Sequence, residues 1–565
     1  MIFGLSILDV GIILCYIAII VYLGWRAKRK VHSTEDYFMG GRKGNKIVMV
    51  ANALGAGTHT DQAIAVAGAT YSIGLAGIWY QWVYLFATPF YWLLAPIYRR
   101  VRFVTTGDYF EHRYGAKVGA AYSIMGFLYF VVNLGLILKG TGTAIEAATG
   151  GQISSPVIVI VLTLFFLGYS VLGGLVSALN INVIQGVFIL ILSFLLIPFA
   201  LEAGGGITAI KEKLPDYMFS FVAPKEVTLF FIIMIVINGL IGIVVQPHHM
   251  AVGGSGKTEM SSRMGWTFGN FMKRIATLGW AFVGVFAAVL FPGFIGDDRE
   301  LAFGTAVSHL LPSGLVGLMI AAMAAAVLAV CHNYMVAGSA LFTRNFYKKF
   351  FEHTLTEKRE IQIARWAAIS IVIGGVSVAM IVPSVVKGIQ FLWQIEAYFG
   401  IGFWIAIFWR RSNRYGVWAS ITTAVAVTLI TGSYLPFSLG WAYEYQIVAY
   451  LPAGIAAFFI ASLLTTAEPE KQVHSFYLLL HTPVGDESRL EETHSAAILT
   501  ESELKAQEEN SEMENNGNGL LLVDLFSLHK KFSFARYRTD IIGLSLSILF
   551  VFVILGIGFF TAHIG

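Results

Sequence analysis

Apolar runs of about twenty residues recur along the chain between short polar turns, a spacing that predicts membrane-spanning helices and not the alternation of strands. Runs near residues 7–25, 47–72, 75–97, 119–139, 155–174, 182–201, 228–249 and 271–293 are followed by others near 314–342, 363–383, 388–409, 416–434, 446–464 and 541–561. This gives about fourteen transmembrane helices and an all-α polytopic membrane protein. Alternate loops carry the basic residues, at Arg26–Lys30, Arg99–Arg102, Lys257 with Arg263, Arg344–Lys349, Arg410–Arg414 and Lys530–Arg538. The main exception holds Lys211, Lys213 and Lys225. The positive-inside rule makes the basic loops cytoplasmic and points both ends of the chain outward.

Two runs depart from plain hydrophobicity. The second is interrupted by GAGTHTDQ, Gly55–Gln62, which places His59 and Asp61 at membrane depth. Ionisable groups there are costly to bury and mark a functional site by default, and backbone freed by a broken helix is tolerated only where it lines a cavity or is buried in protein. The seventh run contains Asn238, Gly239, Gly242 and Pro247, so it too is expected to break near mid-membrane. Breaks at corresponding places in two halves of a chain point to a transporter binding site. The competing explanation for such glycines is close helix packing.

Composition narrows the class. The 565 residues are 56% hydrophobic and 13% charged, with a mean hydropathy of +0.71. The formal charge of +4 is gathered in loops and forms no basic patch interleaved with aromatics, which excludes a nucleic-acid partner. Cys15 and Cys331 sit in apolar runs without disulfide or zinc spacing. No nucleophile with a positioned base and no metal-ligand cluster is evident, so an enzyme is not expected. The first run has Asp9 near its start and no basic leader, the pattern of a retained anchor and not of a cleaved signal.

The chain divides into an anchor helix (1–30), a ten-helix core (31–410), two additional helices (411–465), an acidic cytoplasmic insertion (466–540) and a final transmembrane helix (541–565). The middle of the insertion, Gly485–Gly519, is acidic, rich in Ser and Asn and free of aromatics, and is expected to be disordered, a solvated spacer first and a regulatory docking site as the alternative.

Four stretches carry a family likeness: EDYFMGGRK (Glu35–Lys43), GYSVLGGLVSALNINVIQG (Gly168–Gly186), GLMIAAMAAAVLAV with CHN and then LFTRNFY (from Gly317), and IFWRRSNRYG (Ile407–Gly416). In order and spacing they resemble the solute:sodium symporter family up to about Leu464. The resemblance implies a LeuT-like core of two inverted five-helix repeats, the second to sixth and seventh to eleventh spans.

It also implies an ion site. Carbonyl donors map to Gly55, Thr58 and Ala326, a possible sodium set, and the two hydroxyl positions map to Ala329 and Val330, which offer none. The Thr-Asp pair usual in the second motif is Ile181-Asn182 here. Asp61, His59 and His332 stand nearby as replacements, for a cation or for a proton. The sugar-contacting positions of family members match Gln62, Gln81 and Lys273, with His59 beside them, whereas Gly239 and Gly242 replace an Asn and a Tyr. Trp79–Trp82 are candidates for stacking on solute, and Gln394 and Glu396 are pore candidates on polarity. Lys273 and Arg274 have an alternative reading as snorkelling residues near the cytoplasmic surface.

The function implied is secondary active symport of a small polar organic solute, a sugar first, across the cell membrane. No organic cofactor is expected, only Na+ or H+ as coupling ion; the partners are that solute and membrane lipid around a monomer. Proton-coupled or uncoupled transport, or a transporter-like solute sensor, is the alternative that the absent hydroxyls leave open.

Overall fold

The computed structural model describes residues 3–28, 42–170, 185–223, 226–352, 354–433, 435–436, 438–486 and 519–563, with positions 502, 505, 506 and 509 between the last two. Most of the first motif, the second motif from 171 to 184 with Ile181 and Asn182, and most of the acidic middle of the insertion lie outside the described residues. The described chain is helical. Helix α1 (Ile7–Lys28) precedes the first repeat, made of α2 (Lys46–Gly57), α3 (Thr60–Ile73), α4 (Phe90–Arg100), α5 (Thr106–Tyr114), α6 (Ala116–Ala148), α7 (Ser155–Ser170) and α8 (Gln185–Gly204). The second repeat contains α9 (Leu229–Gly242), α10 (His249–Gly254), α11 (Glu259–Leu290), α12 (Ala302–Leu310), α13 (Leu315–Ala340), α14 (Glu357–Ile381) and α15 (Val385–Phe408). Helices α16 (Arg414–Thr431), α17 (Tyr443–Leu464), α18 (Glu470–His481) and α19 (Phe534–His563) complete it.

Nine of the described helices are long and apolar enough to cross a membrane, and others such as Lys46–Gly57 and Leu229–Val245 are shorter apolar pieces. Length and composition thus support nine spans among the described residues and not the expected fourteen, and several of the apolar runs are split. One split was not expected: the run at 75–97 is a 3-10 turn at Gly74–Ile78, a helical turn at Trp79–Trp82, and regular helix again only from Phe90. Pro89 supplies no amide hydrogen to the ladder there, and Gly74 takes a φ of 71° that a side chain would resist.

Both expected breaks are present. Helix α2, started by Asn45 whose side chain accepts from Val48 N at 3.0 Å, stops at Gly57, and Thr58 and His59 are extended before α3 begins. Helix α9 stops at Gly242 and passes through a 3-10 turn and Pro247 to α10. Helix α11 runs along both halves of the first broken span, where small residues allow close approach; a Cβ on Gly269 would lie 2.7 Å from Ala53 Cβ.

Two charged groups read from sequence turn out to be structural. Asp9 accepts from the backbone amides of Gly314 and Gly317 at 2.7 Å each, capping α13 where its dipole favours an anion. Arg263 pairs with Asp540 at 2.6 Å, tying α19 to α11.

The flanks of the insertion are structured and docked on the basic-loop side. Glu259 pairs with Arg100 at 2.8 Å and accepts from Val484 N at 3.1 Å, and Leu480 O accepts from Arg100 at 3.1 Å. Asp524, buried beyond the acidic middle, accepts from the Tyr537 hydroxyl at 2.8 Å and lies 3.8 Å from His481 Nε2.

Candidate substrate and ion site

Between the two breaks lies a cavity of about 60 Å³, walled by α3, α6, α11, α15 and the broken segments, whose lining is largely polar. Room for one water takes roughly 10–15 Å³ on this kind of measure, so the interior holds a small head group or a few waters.

The first break brings its predicted residues together. Gln62 Nε2 donates to His59 Nε2 at 2.9 Å and reaches Gly57 O at 3.4 Å, which fixes the orientation of the amide. An amide NH2 can only donate, so His59 accepts on Nε2 and donates from Nδ1 to Asp61 Oδ1; the tautomer is assigned from this network. Asp61 lies in the first turn of α3, where a carboxylate complements the helix dipole, and α6 packs on it through Gly140, whose Cβ would stand 2.8 Å from Asp61 Cβ. Lys273 Nζ donates to Gly57 O at 2.5 Å, at the carbonyl end of α2.

That last bond corrects the snorkelling alternative. Lys273 and Arg274 are both buried and point inward, Arg274 donating to Gln81 O at 3.0 Å. The side-chain oxygens of Gln62 and Gln81 are buried with no hydrogen-bond partner, and so is His248 Nδ1. All three side chains line the cavity. Orphaned polar atoms inside a membrane protein are expensive, and a polar solute entering here would satisfy them.

Other expected positions fall elsewhere. Trp79 and Trp82 do not line the cavity: their indole nitrogens donate to Phe221 O and Arg274 O at 2.8 and 3.1 Å. The aromatic lining comes instead from Tyr84, Tyr91, Tyr129, Tyr334 and Trp393. Gln394 turns away to Gln446 on α17 at 3.1 Å, whereas Glu396, two residues on, faces inward. His332 is buried on α13 but is not part of the lining.

Of the positions mapped for sodium, Gly55, Thr58 and Ala326 are buried but do not line the cavity, and α13 packs against both α2 and α3 in this part of the bundle. Thr60 Oγ1 donates across that packing to Met323 O at 2.9 Å. Ala326 and Val330 are fully buried and bring no side-chain oxygen, so the donor set there fits a hard cation only through backbone carbonyls and the buried, unpartnered Thr58 hydroxyl.

Sequence reasoning missed Gln246 and His248 in the second break. The signal was the polar QPHH run, Gln246–His249, directly after the glycines. Asn238 in the same span donates to Trp393 O at 3.1 Å and accepts from the Tyr450 hydroxyl at 2.6 Å, so it steadies the wall and does not face the cavity.

Paired helix breaks around a polar cavity at mid-bundle define a polytopic membrane transporter with a LeuT-like fold. The chain belongs to the sodium:solute symporter family, whose model matches residues 37–452. It is 24% identical to the sodium/glucose cotransporter of Vibrio parahaemolyticus over 77% of this chain and 87% of that protein. It is 25% identical to the osmoregulated proline transporter OpuE of Bacillus subtilis strain 168, over 81% and 94% respectively. Among solved structures, a Na+-coupled sialic acid symporter in a substrate-bound outward-open state superposes with a TM-score of 0.68 at 17% identity, covering 82% of this chain and 99% of that one. The protein is a multi-pass transporter of the cell membrane and not an enzyme, and cation-coupled solute symport is the activity its family carries out.

Proposed function

We propose that the protein takes up a small polar organic solute, with sugars and their derivatives as the first class to test, by cation-coupled alternating access through the cavity between the two breaks. The observation that carries this is the convergence of the unpartnered, buried Gln62 and Gln81 oxygens beside Lys273 in one cavity. Amide and ammonium groups suit hydroxyl or carboxylate groups on a solute. Relatives named for glucose, proline and sialic acid support a small polar solute without choosing among them.

Sodium is the first candidate for the coupling ion, held by carbonyls at Gly55, Thr58 and Ala326 with the Thr58 hydroxyl. A proton carried by the Asp61–His59 pair, or uncoupled binding, is favoured by one observation: no side chain at Ala326, Ala329 or Val330 offers an oxygen. His332 and Asn182 remain proposed contributors from outside the cavity. Uptake by reconstituted protein under an imposed sodium gradient, and separately under a pH gradient, tests both readings. Acceleration by sodium alone supports the first, acceleration by protons alone the second, and binding with no accumulation under either gradient defeats symport.

A further inference from the structure

The wall made by the second break and α15 holds a charge that the reading above does not use. Glu396 is 2% exposed and lines the cavity. Its two oxygens accept from Gln246 Nε2 at 3.1 Å each, and Oε2 also accepts from the Tyr84 hydroxyl at 3.1 Å. Gly242 lets α9 press against it, since a Cβ there would lie 2.9 Å from Glu396 Cβ. These donors are neutral. The cations that line the cavity are committed elsewhere: Lys273 to Gly57 O, and Arg274 to Gln81 O, with the Arg274 guanidinium 5.7 Å from the Tyr84 ring. Among the described residues no ion pair includes Glu396.

A carboxylate buried in a membrane protein without a counter-charge is costly, and such residues pair with one another or mark a substrate or proton path. The surroundings favour an organic cation. Trp393 and Tyr84 meet edge to face with centroids 6.5 Å apart, and Tyr129 and Tyr334 line the same cavity. A carboxylate among aromatic faces attracts an alkylammonium through charge and ring quadrupole together. A cavity of about 60 Å³ has room for such a head group.

We propose that Glu396, with Gln246, Tyr84, Tyr129 and Trp393 around it, is an ammonium subsite, so that the transported solute carries a protonated amine. This rests on the transport reading above and deepens it, selecting amino sugars or amino acids within the small polar solutes.

The test uses matched pairs on the full-length purified protein: D-glucosamine against D-glucose, and L-proline against tetrahydrofuran-2-carboxylate, in which oxygen replaces the amine. Binding is followed by thermal shift, which rises for any ligand of the native state, and uptake is followed in proteoliposomes. The amine member of at least one pair is expected to bind at least about tenfold more tightly, the effect of a hydrogen bond to a charged group. Glu396→Gln is expected to reduce that preference to about twofold or less without lowering the melting temperature of the unliganded protein. Should that variant fail to fold, the isostere comparison in the wild type decides alone. Equal binding of both members of each pair overturns the subsite and leaves solute transport standing. So does a Glu396→Gln variant that keeps the amine preference, or one that alters only the pH dependence of uptake, the mark of a proton site. Failure of every solute to bind or be taken up under either gradient overturns the transport reading and the subsite together.

Discussion

The two breaks solve the same problem with opposite distributions of charge. At the first, the carboxylate belongs to the break itself: Asp61 is bonded to His59 two residues before it, while Lys273 reaches in from α11 to the carbonyl end of α2 at Gly57. At the second, the break supplies only neutral groups, Gln246 and the imidazole of His248, and the carboxylate it binds comes from Glu396 on another helix. The glycines differ in the same sense. A Cβ at Gly57 would meet nothing within 4 Å, whereas one at Gly242 would press on Glu396. The first break is therefore open backbone facing a cavity, and the second is a packing joint between helices. A transporter that alternates access needs one part of its site free to change partners and another that moves as a unit with its neighbour.

The comparison can be broken most sharply at Asp61. Removing one member of a buried pair costs about 3–5 kcal/mol, so Asp61→Asn is expected to cut uptake in proteoliposomes by about a hundredfold or more, with a lower melting temperature. Retained uptake would show that the first break's charge is only structural.

At the second break, Gln246→Ala removes the donor to both Glu396 oxygens. Leaving a buried polar group short of a partner costs about 1–3 kcal/mol, and solute binding measured by isothermal titration should weaken by about tenfold. The paired glycine variants sharpen the contrast. Gly242→Ala should destabilise by about 1–3 kcal/mol through overpacking, whereas Gly57→Ala should change stability by about 0.5 kcal/mol or less, both read by denaturation in detergent. Equal effects would mean that the two breaks do not differ in packing.

The smallest effect lies away from both breaks, where the insertion docks. Burial pushes the Asp524 carboxyl up, but the nearby His481 imidazole, the hydrogen bond from Tyr537 and the charge of Arg536 outweigh burial and hold it below the ordinary carboxylate value. A depressed carboxyl contributes stability that is present above its unfolded value and lost as pH falls through the folded one. Docking of residues 519–527 should thus loosen only under acid conditions below the normal carboxylate range, seen as faster proteolysis there while Asp524→Asn is already cleaved at neutral pH.

Much of the fold was legible because its signals are local. GAGTHTDQ inside one apolar run, and glycines with Pro247 inside another, each mark a helix stop through short-range chemistry. The split between Ile73 and Phe90 was missed because its residues are apolar and their hydropathy reads as continuous. Within the site, His59 and Asp61 were found because an ionisable group in an apolar run stands out, whereas Gln62, Gln81 and Lys273 were found through the resemblance to sugar-contacting positions of the family. Trp79–Trp82 misled because aromatic residues look alike in sequence whether they face a cavity or, as here, pack on Phe221 and α11.

By itself the sequence determined the all-helical, membrane-spanning class, the two breaks and the family, since hydropathy, helix-breaking residues and motifs act within a few residues of one another. Only the tertiary structure decided which polar groups share a wall. Gln246 meets Glu396 across 150 positions, and Lys273 meets Gly57 across 216. In a bundle whose inner helices are apolar on every side, no periodicity marks the face that looks into the cavity. That Gln394 turns to α17 while Glu396 turns inward is settled by how α15 is rotated against its neighbours.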